Sequence, residues 1–198
     1  MVYYKFIWPS HVLQKEEQLK IAITGHSKGI GKACADLLGE EHDIHGMSRS
    51  NGFDINDVQP IIMSSHTCDV FINNAYSGIQ QSILFDALFN MWKDDSTKTI
   101  VNLNSRSKYS YTSPNPLYSA NKKHLDHITQ SKVLSNMNKR VRVININPGY
   151  VDTDMMPDRA KNYNKLTPTK IAETIKWCLD QPPEVEVNEL SIWTTWLE

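Results

Sequence analysis

Residues 19–31 read LKIAITGHSKGIG, a short β-branched run that passes directly into glycines at 25, 29 and 31. Ile30, Ala33, Cys34, Leu37 and Leu38 then recur at the i, i+3, i+4, i+7, i+8 spacing of one helix face. The stretch therefore predicts a strand, a tight glycine turn and an amphipathic helix. Glycines at such a turn let the backbone approach a pyrophosphate, and the helix N-terminus offers free N–H groups and the positive end of its dipole. The spacing G-x-x-x-G-x-G has one more residue between its first two glycines than the commonest dinucleotide fingerprint. A glycine-rich structural turn is the alternative, and the strand before and helix after favour a nucleotide loop.

Working outward, β-branched runs recur at 44–48 (IHGMS), 69–74 (DVFINN), 99–105 (TIVNLNS) and 141–147 (VRVININ). Helical spacing fills most of the gaps. Ile83, Leu84, Ala87, Leu88 and Met91 form one face, and Ile171, Ile175, Cys178 and Leu179 another. Pro116 fits the first position of a long helix running to about Met137, with Asn115 or Ser113 as its cap. Apolar strands alternating with amphipathic helices read as βαβ units, hence a parallel sheet covered on both faces. The even composition of the 198 residues predicts one domain over 19–198, preceded by an arm over 1–18 with a cluster of Tyr3, Tyr4, Phe6, Ile7 and Trp8. Lys and Arg number 21 against 22 Asp and Glu, which gives no electrostatic footprint for nucleic acid or an anionic membrane. No apolar run approaches the ~20 residues of a membrane helix. The N-terminus does not read as a secretory signal, and Cys34, Cys68 and Cys178 are odd in number and far apart. The expectation is a cytoplasmic protein with buried thiols.

TGHSKGIG at 24–31, NNA at 73–75, Ser105, Tyr118-Ser-Ala-Asn-Lys122 and NPG at 147–149 stand in the order found in the short-chain dehydrogenase/reductases, which this chain resembles from residue 24 to 149. The resemblance implies a three-layer α/β Rossmann fold with a mainly parallel sheet and a bound nicotinamide cofactor. It also implies hydride transfer between that cofactor and a small-molecule carbonyl or alcohol. By the same resemblance Thr24, Gly25, Ser27, Lys28, Gly29, Ile30 and Gly31 hold the diphosphate, and Asp54 and Ile55 meet the adenine. Asn74 and Ala75 line the adenosine ribose, while Pro148, Gly149, Val151 and Thr153 meet the nicotinamide end. The second strand ends Gly46-Met47-Ser48-Arg49, with no acidic residue to accept from a ribose 2′-hydroxyl. Ser48, Arg49 and Lys28 instead suit a 2′-phosphate, so NADP(H) is the expected cofactor. Tyr118 and Lys122 lie at i and i+4, hence on one helix face. In the family the tyrosine is the general acid/base, the lysine lowers its pKa and binds the ribose, and the serine holds the substrate oxygen. Relatives pair through the helix carrying the tyrosine, which implies a homodimer or homotetramer. A non-catalytic NADP-binding sensor and a nucleotide-sugar epimerase or dehydratase are the rival readings; the second normally needs a larger C-terminal region.

Three departures stand out. Few residues separate Arg49 from Asp54, where relatives place a helix and a strand, so the sheet should be trimmed by about one βα unit after its second strand. The relay asparagine of many members has no clear match; Gln81 lies nearest, able in principle to bind the relay water. Tyr76 replaces the usual glycine after NNA, placing a ring near the mouth of the site. His124-x-x-His127 reads as a solvated helix face, Asp152 and Asp154 as a loop, and Trp92, Trp177, Trp193 and Trp196 as packing residues.

Overall fold

A computed structural model describes residues 18–135, 141–156, 158, 162–182 and 184–194. The aromatic arm, the expected helix end at Met137 and Trp196 lie outside the described residues. The elements run β1 (Lys20–Thr24), α1 (Gly29–Leu38), β2 (Asp43–Met47), α2 (Val58–Ser65), β3 (Val70–Asn73), α3 (Gln80–Trp92), β4 (Thr99–Leu103), α4 (Pro116–Ser135), β5 (Arg142–Pro148), α5 (Pro168–Leu179) and β6 (Glu189–Ile192). The six strands form one sheet in the order β2-β1-β3-β4-β5-β6, every neighbouring pair parallel. Helix starts follow the sequence signals. Pro116 opens α4, where Asn115 Oδ1 accepts from Tyr118 N at 3.1 Å, and Thr167 Oγ1 caps α5 by accepting from Lys170 N at 3.1 Å.

Period-two alternation divides the core. Ile21, Ile23, Val70, Ile72, Val101, Ile144 and Ile146 face α1 and α5, which contribute Cys34, Leu38, Ile171, Ile175 and Cys178. Ala22, Phe71, Ile100 and Val143 face the other way, onto Ile61 of α2, Leu84, Phe85, Leu88, Phe89 and Trp92 of α3, and Leu125 of α4. The three-layer arrangement is that expected from the alternating runs. One face was misjudged: Ile83 is 42% exposed, and Phe85, Phe89 and Trp92 are buried in its place. The cause is that α3 packs on both the sheet and its neighbours α2 and α4, so its apolar surface is wider than a single stripe.

The trimming is visible at the β2 edge. The usual doubly wound order 3-2-1-4-5-6 has a strand outside the second one; among the described residues none lies outside β2. After β2 the chain makes a short 3₁₀ turn over Arg49–Asn51, then α2 covers the sheet face. Residues 54–68 thus supply a helix and no substitute strand.

The sheet also carries a polar row that hydrophobic periodicity does not announce. Asn73, Asn102, Asn145 and Glu189 are successive register partners across β3, β4, β5 and β6. The three asparagines are fully buried. Asn73 Nδ2 donates to Asn102 Oδ1 at 2.9 Å, Asn102 Nδ2 to Thr129 Oγ1 at 3.1 Å, and Asn145 Nδ2 to Asp126 Oδ1 at 3.0 Å, which ties the row to α4.

At the β1–α1 turn the glycines are required by geometry. Gly25 and Gly29 have φ of 70° and 57°, in the left-handed region that L side chains rarely occupy. A Cβ on Gly31 would lie 2.2 Å from the Gly25 carbonyl oxygen and 2.6 Å from Asn74 Nδ2. Since backbone cannot yield as a flexible side chain does, Gly31→Ala is expected to cost about 1–3 kcal/mol, read as a lower urea midpoint at unchanged slope.

Candidate active site

The carboxyl ends of β1, β3, β4 and β5 converge with the N-terminal turns of α1 and α4. Thr24 joins the first two strands: its Oγ1 accepts from Asn74 N and Ala75 N, both at 3.0 Å. Asn74 Nδ2 returns to the Thr24 carbonyl at 2.9 Å, and Gly25 N donates to Met47 O at 2.7 Å. Helix α1 begins without a side-chain cap or an acidic residue in its first turn, so no side chain competes for the N–H groups at the glycine loop. Ser27 and Lys28 are exposed there, and Ile30 is half-buried. That uncapped N-terminus, with its two left-handed glycines, is the feature that fits a diphosphate.

Around the loop, Ser48 is buried and forms a capping box with Asn51, its N donating to Asn51 Oδ1 at 2.8 Å. Arg49 follows on the surface with no carboxylate partner among the described residues. Lys28 is different: its Nζ pairs with Asp154 Oδ2 at 3.2 Å. Both side chains are largely exposed, so the pair is weak and readily exchanged. Asp54 Oδ1 accepts from Asn56 N and Nδ2 at 2.9 and 2.8 Å, and Ile55 is buried beside it. Across the loop, Gly149 N donates to Ile192 O at 2.8 Å, and Val151 bridges to Leu166. The Thr153 methyl lies 3.4 Å from where a Gly29 Cβ would be. The segment after β5 therefore reaches over the glycine loop.

Ser105 follows β4, and its Oγ accepts from Ser107 N at 3.1 Å. Tyr118, partly buried on α4, lies close enough to the Ser105 hydroxyl for that group to act on its pKa. Lys122 lies one turn further along, 4% exposed, donating to Gln81 Oε1 at 2.7 Å and to the Leu103 carbonyl at 2.8 Å. Gln81 Nε2 donates to the carbonyls of Asn73 and Leu103 at 2.8 and 3.0 Å. The Gln81 amide is thus engaged at both ends and holds the lysine directly, rather than offering itself to a relay water. Tyr76 packs on the pair, its ring 5.0 Å from that of Tyr118 at 68°.

The electrostatics correct one expectation. Burial raises the Tyr118 pKa above the usual phenol value; the Ser105 hydroxyl works against this without overcoming it. Lys122 does not depress it, because burial lowers the lysine's own pKa to about 7 and its two neutral acceptors do not offset the lost hydration. In the ligand-free protein the lysine is itself only partly charged at neutral pH.

Residues 82–164 match the family model described as short chain dehydrogenase. An uncharacterized oxidoreductase of Staphylococcus saprophyticus is 37% identical over 100 residues, which is 50% of this chain and 43% of that protein. The chain therefore spans less than half the length of this relative. Among solved structures, a short chain dehydrogenase of Burkholderia cenocepacia in complex with NADP superposes with a TM-score of 0.73 at 19% identity, covering 88% of each chain. A 3-alpha-hydroxysteroid dehydrogenase of a Pseudomonas species complexed with NADH gives 0.71 at 16% identity, covering 88% of this chain and 95% of that one. Over residues 82–164 this chain is similar to the short-chain dehydrogenases, and its fold is theirs.

Beside Ser105 the chain has a polar neighbourhood that its sequence does not announce. Lys108, with a side chain 1% exposed, sits three residues beyond Ser105 and pairs with Asp126 Oδ1 at 2.5 Å and Glu189 Oε1 at 2.9 Å. Tyr109 Oη and Asn147 Nδ2 donate to the same Glu189 oxygen at 2.7 and 3.0 Å. Burial alone would pull Lys108 down; the hydrogen bonds and charges of the two carboxylates outweigh it and hold its pKa above the ordinary lysine value. A lysine in a polar run such as RSKYS gives no sign of burial, and its partners are remote in sequence.

The low Lys122 pKa sets a stability signature. Between about pH 7 and the ordinary lysine value, the unfolded chain holds a proton that the folded chain has lost. Stability therefore rises with pH across that window, by about 1.4 kcal/mol per unit from this residue, and the full cost of the buried charge is present below it. Lys122→Met is expected to be more stable than wild type at pH 6–7 and to flatten the rise. Urea unfolding at several pH values measures both.

Proposed function

We propose that this protein is an NADP(H)-dependent oxidoreductase of the carbonyl reductase type, acting on a small-molecule carbonyl or alcohol. The observation that carries the reading is that Ser105, Tyr118 and Lys122 stand at the same carboxyl edge of the sheet as the N-terminus of α1, which has no side-chain cap. NADP(H), when bound, supplies or accepts the hydride. The chain's own residues do the rest. Gly25, Gly29 and the first N–H groups of α1 receive the diphosphate, and the exposed Arg49 meets a 2′-phosphate. Lys28 joins Arg49 by exchanging its weak Asp154 partner. Ser105 donates to the substrate oxygen as negative charge develops on it. Tyr118, within hydrogen-bonding reach of Ser105, gives that oxygen its proton in reduction and takes it back in oxidation.

The raised phenol pKa of the ligand-free site suits a proton donor and not yet a base. The charge needed for the reverse direction must come with ligand binding. The unit that would act is the single domain over 19–198. Leu117 and Leu134 on α4, 77% and 66% exposed, support a homodimer or homotetramer through that helix, checked by light scattering. The free, buried cysteines at 34, 68 and 178 accord with a reducing, cytoplasmic setting.

The test is NADPH oxidation over a panel of aldehydes and ketones. Tyr118→Phe should lower turnover by ~10²–10⁴-fold, the usual worth of general acid catalysis, and leave NADPH affinity within a few-fold. A wild type that binds NADPH and reduces nothing would favour the sensor reading instead. For the cofactor, calorimetry should find NADPH bound more tightly than NADH. Arg49→Ala should remove ~10–100-fold of that preference, the worth of a charge-assisted hydrogen bond. Equal wild-type affinities would sink the assignment.

A further inference from the structure

Tyr76 occupies a position the Ser105–Tyr118–Lys122 arrangement does not explain. It follows Asn73-Asn74-Ala75 at the end of β3, where the backbone turns toward Gly78 at φ 56°. Its half-buried ring meets α4 along one face of that helix. Tyr118 packs against it edge-on with ring centroids 5.0 Å apart, and Asn121 Nδ2 donates to its hydroxyl oxygen at 3.2 Å. Lys122 Nζ lies 5.2 Å from the Tyr76 ring centroid and 5.7 Å from that of Tyr118. These are cation–aromatic distances.

An ammonium has three N–H groups. Two of those on Lys122 are taken by Gln81 Oε1 and the Leu103 carbonyl. The side left over is the side the two rings cover. The enclosure accounts for the 4% exposure of a lysine only one turn from a partly exposed tyrosine. A hydroxyl group that approaches Nζ from that side meets the Tyr76 ring. The titratable groups facing Nζ are Tyr76, from the loop after β3, and Tyr118 from α4 itself. Gln81 of α3 and the Leu103 carbonyl of β4 are neutral, and Asp126, one turn further on, is engaged by Lys108 and Asn145.

We propose that Tyr76 is the positioning residue of this site: its ring roofs Lys122 and clamps Tyr118, and its displacement by a polyhydroxylated ligand uncovers the lysine. With the ring in place, Lys122 is dehydrated and poorly charged, and Tyr118 keeps its proton. With the ring moved aside, water or ligand oxygens reach Nζ, the lysine takes up a proton from solvent, and the resulting ammonium favours the tyrosinate. The proposal deepens the oxidoreductase reading and rests on it for the identity of the ligand, but its first test needs no ligand.

That test is the titration of Tyr118 in the ligand-free protein, followed by carbon NMR of ring-labelled tyrosine and assigned with Tyr118→Phe. Tyr76→Phe keeps the roof and removes only the repulsion between the two phenols, so Tyr118 should shift down by less than in the variants that lose the ring. Tyr76→Gly, or Tyr76→Ala if the glycine variant does not fold, removes it. Tyr118 should then titrate at least about one pH unit lower, the scale of a neighbouring charge and restored hydration. Circular dichroism establishes that each variant is folded. An unchanged Tyr118 titration in a folded Tyr76→Gly or Tyr76→Ala protein overturns the proposal. So does an equal drop in Tyr76→Phe, because the hydroxyl and not the ring would then be responsible. The second measurement is proton uptake on binding NADPH at pH 8, from calorimetry in buffers of different ionisation enthalpy. Uptake in wild type that falls by half or more in the roofless variant supports the coupling; equal uptake in both refutes it. Failure of every variant to bind NADPH would instead overturn the oxidoreductase reading and leave the ligand-free titration to decide the role of Tyr76.

Discussion

A buried polar group must find a partner or cost several times what its hydrogen bond would contribute, and the contacts of one buried amide hold the floor of the site together. Gln81 is the clearest case. Its amide is 1% exposed, yet it satisfies the carbonyls of Asn73 and Leu103 and receives Lys122. Through the two polar atoms of one side chain, the ends of β3 and β4 are fixed relative to α3 and α4. Asn73 answers by donating to the Gln81 carbonyl at 3.0 Å and to Asn102. The result is a rigid floor under Tyr118, since neither strand can shift without leaving an amide unpaired.

A second polar cluster steadies the other side. Lys108 carries the turn after Ser105 into the interior, where Asp126 of α4 and Glu189 of β6 share its charge. One buried cation between two partly exposed carboxylates leaves a local excess of negative charge. Asn145, Asn147, Tyr109 and Gln130 spread it by donating to the carboxylate oxygens. Buried ion pairs of this kind contribute more to a defined geometry than to net stability. The turn that bears Ser105 is the part of the site with most to gain from such definition, being a short 3₁₀ segment between a strand and a loop.

Most of the sheet was legible from the sequence because β1, β3, β4 and β5 are short apolar runs, as parallel strands buried on both faces must be. Strand β6 was not. Its sequence ELSI is half exposed at the sheet edge, and its pairing is set by β5 rather than by its own pattern. Helix α2 was missed for a similar reason: Pro60 stands in its first turn, and its eight residues bury little beyond Ile61 and Ser65. The loss of an outer strand was readable from the Arg49–Asp54 spacing alone. At the site, the positions of Ser105, Tyr118 and Lys122 follow from interval and helical period. The direction of the Tyr118 shift does not, because it depends on how deeply Lys122 is enclosed. That enclosure is a property of Tyr76, Gln81 and the Leu103 carbonyl together, three groups scattered along the chain.

The pairing of Lys108 with Glu189 spans 81 positions, whereas its pairing with Asp126 spans 18. A chain that has folded as far as β5 already holds Lys108 against α4, but with the Glu189 half of its shell missing and Asn147 without the oxygen it donates to. Docking of β6 is then a late event of high contact order, slowed by the long loop it must close. The turn behind Ser105 gains its final shape only at that moment. Competence for chemistry and completion of the sheet are in this way one step: a partly folded molecule would present the glycine loop and the helix carrying Tyr118 while the serine turn was still unformed.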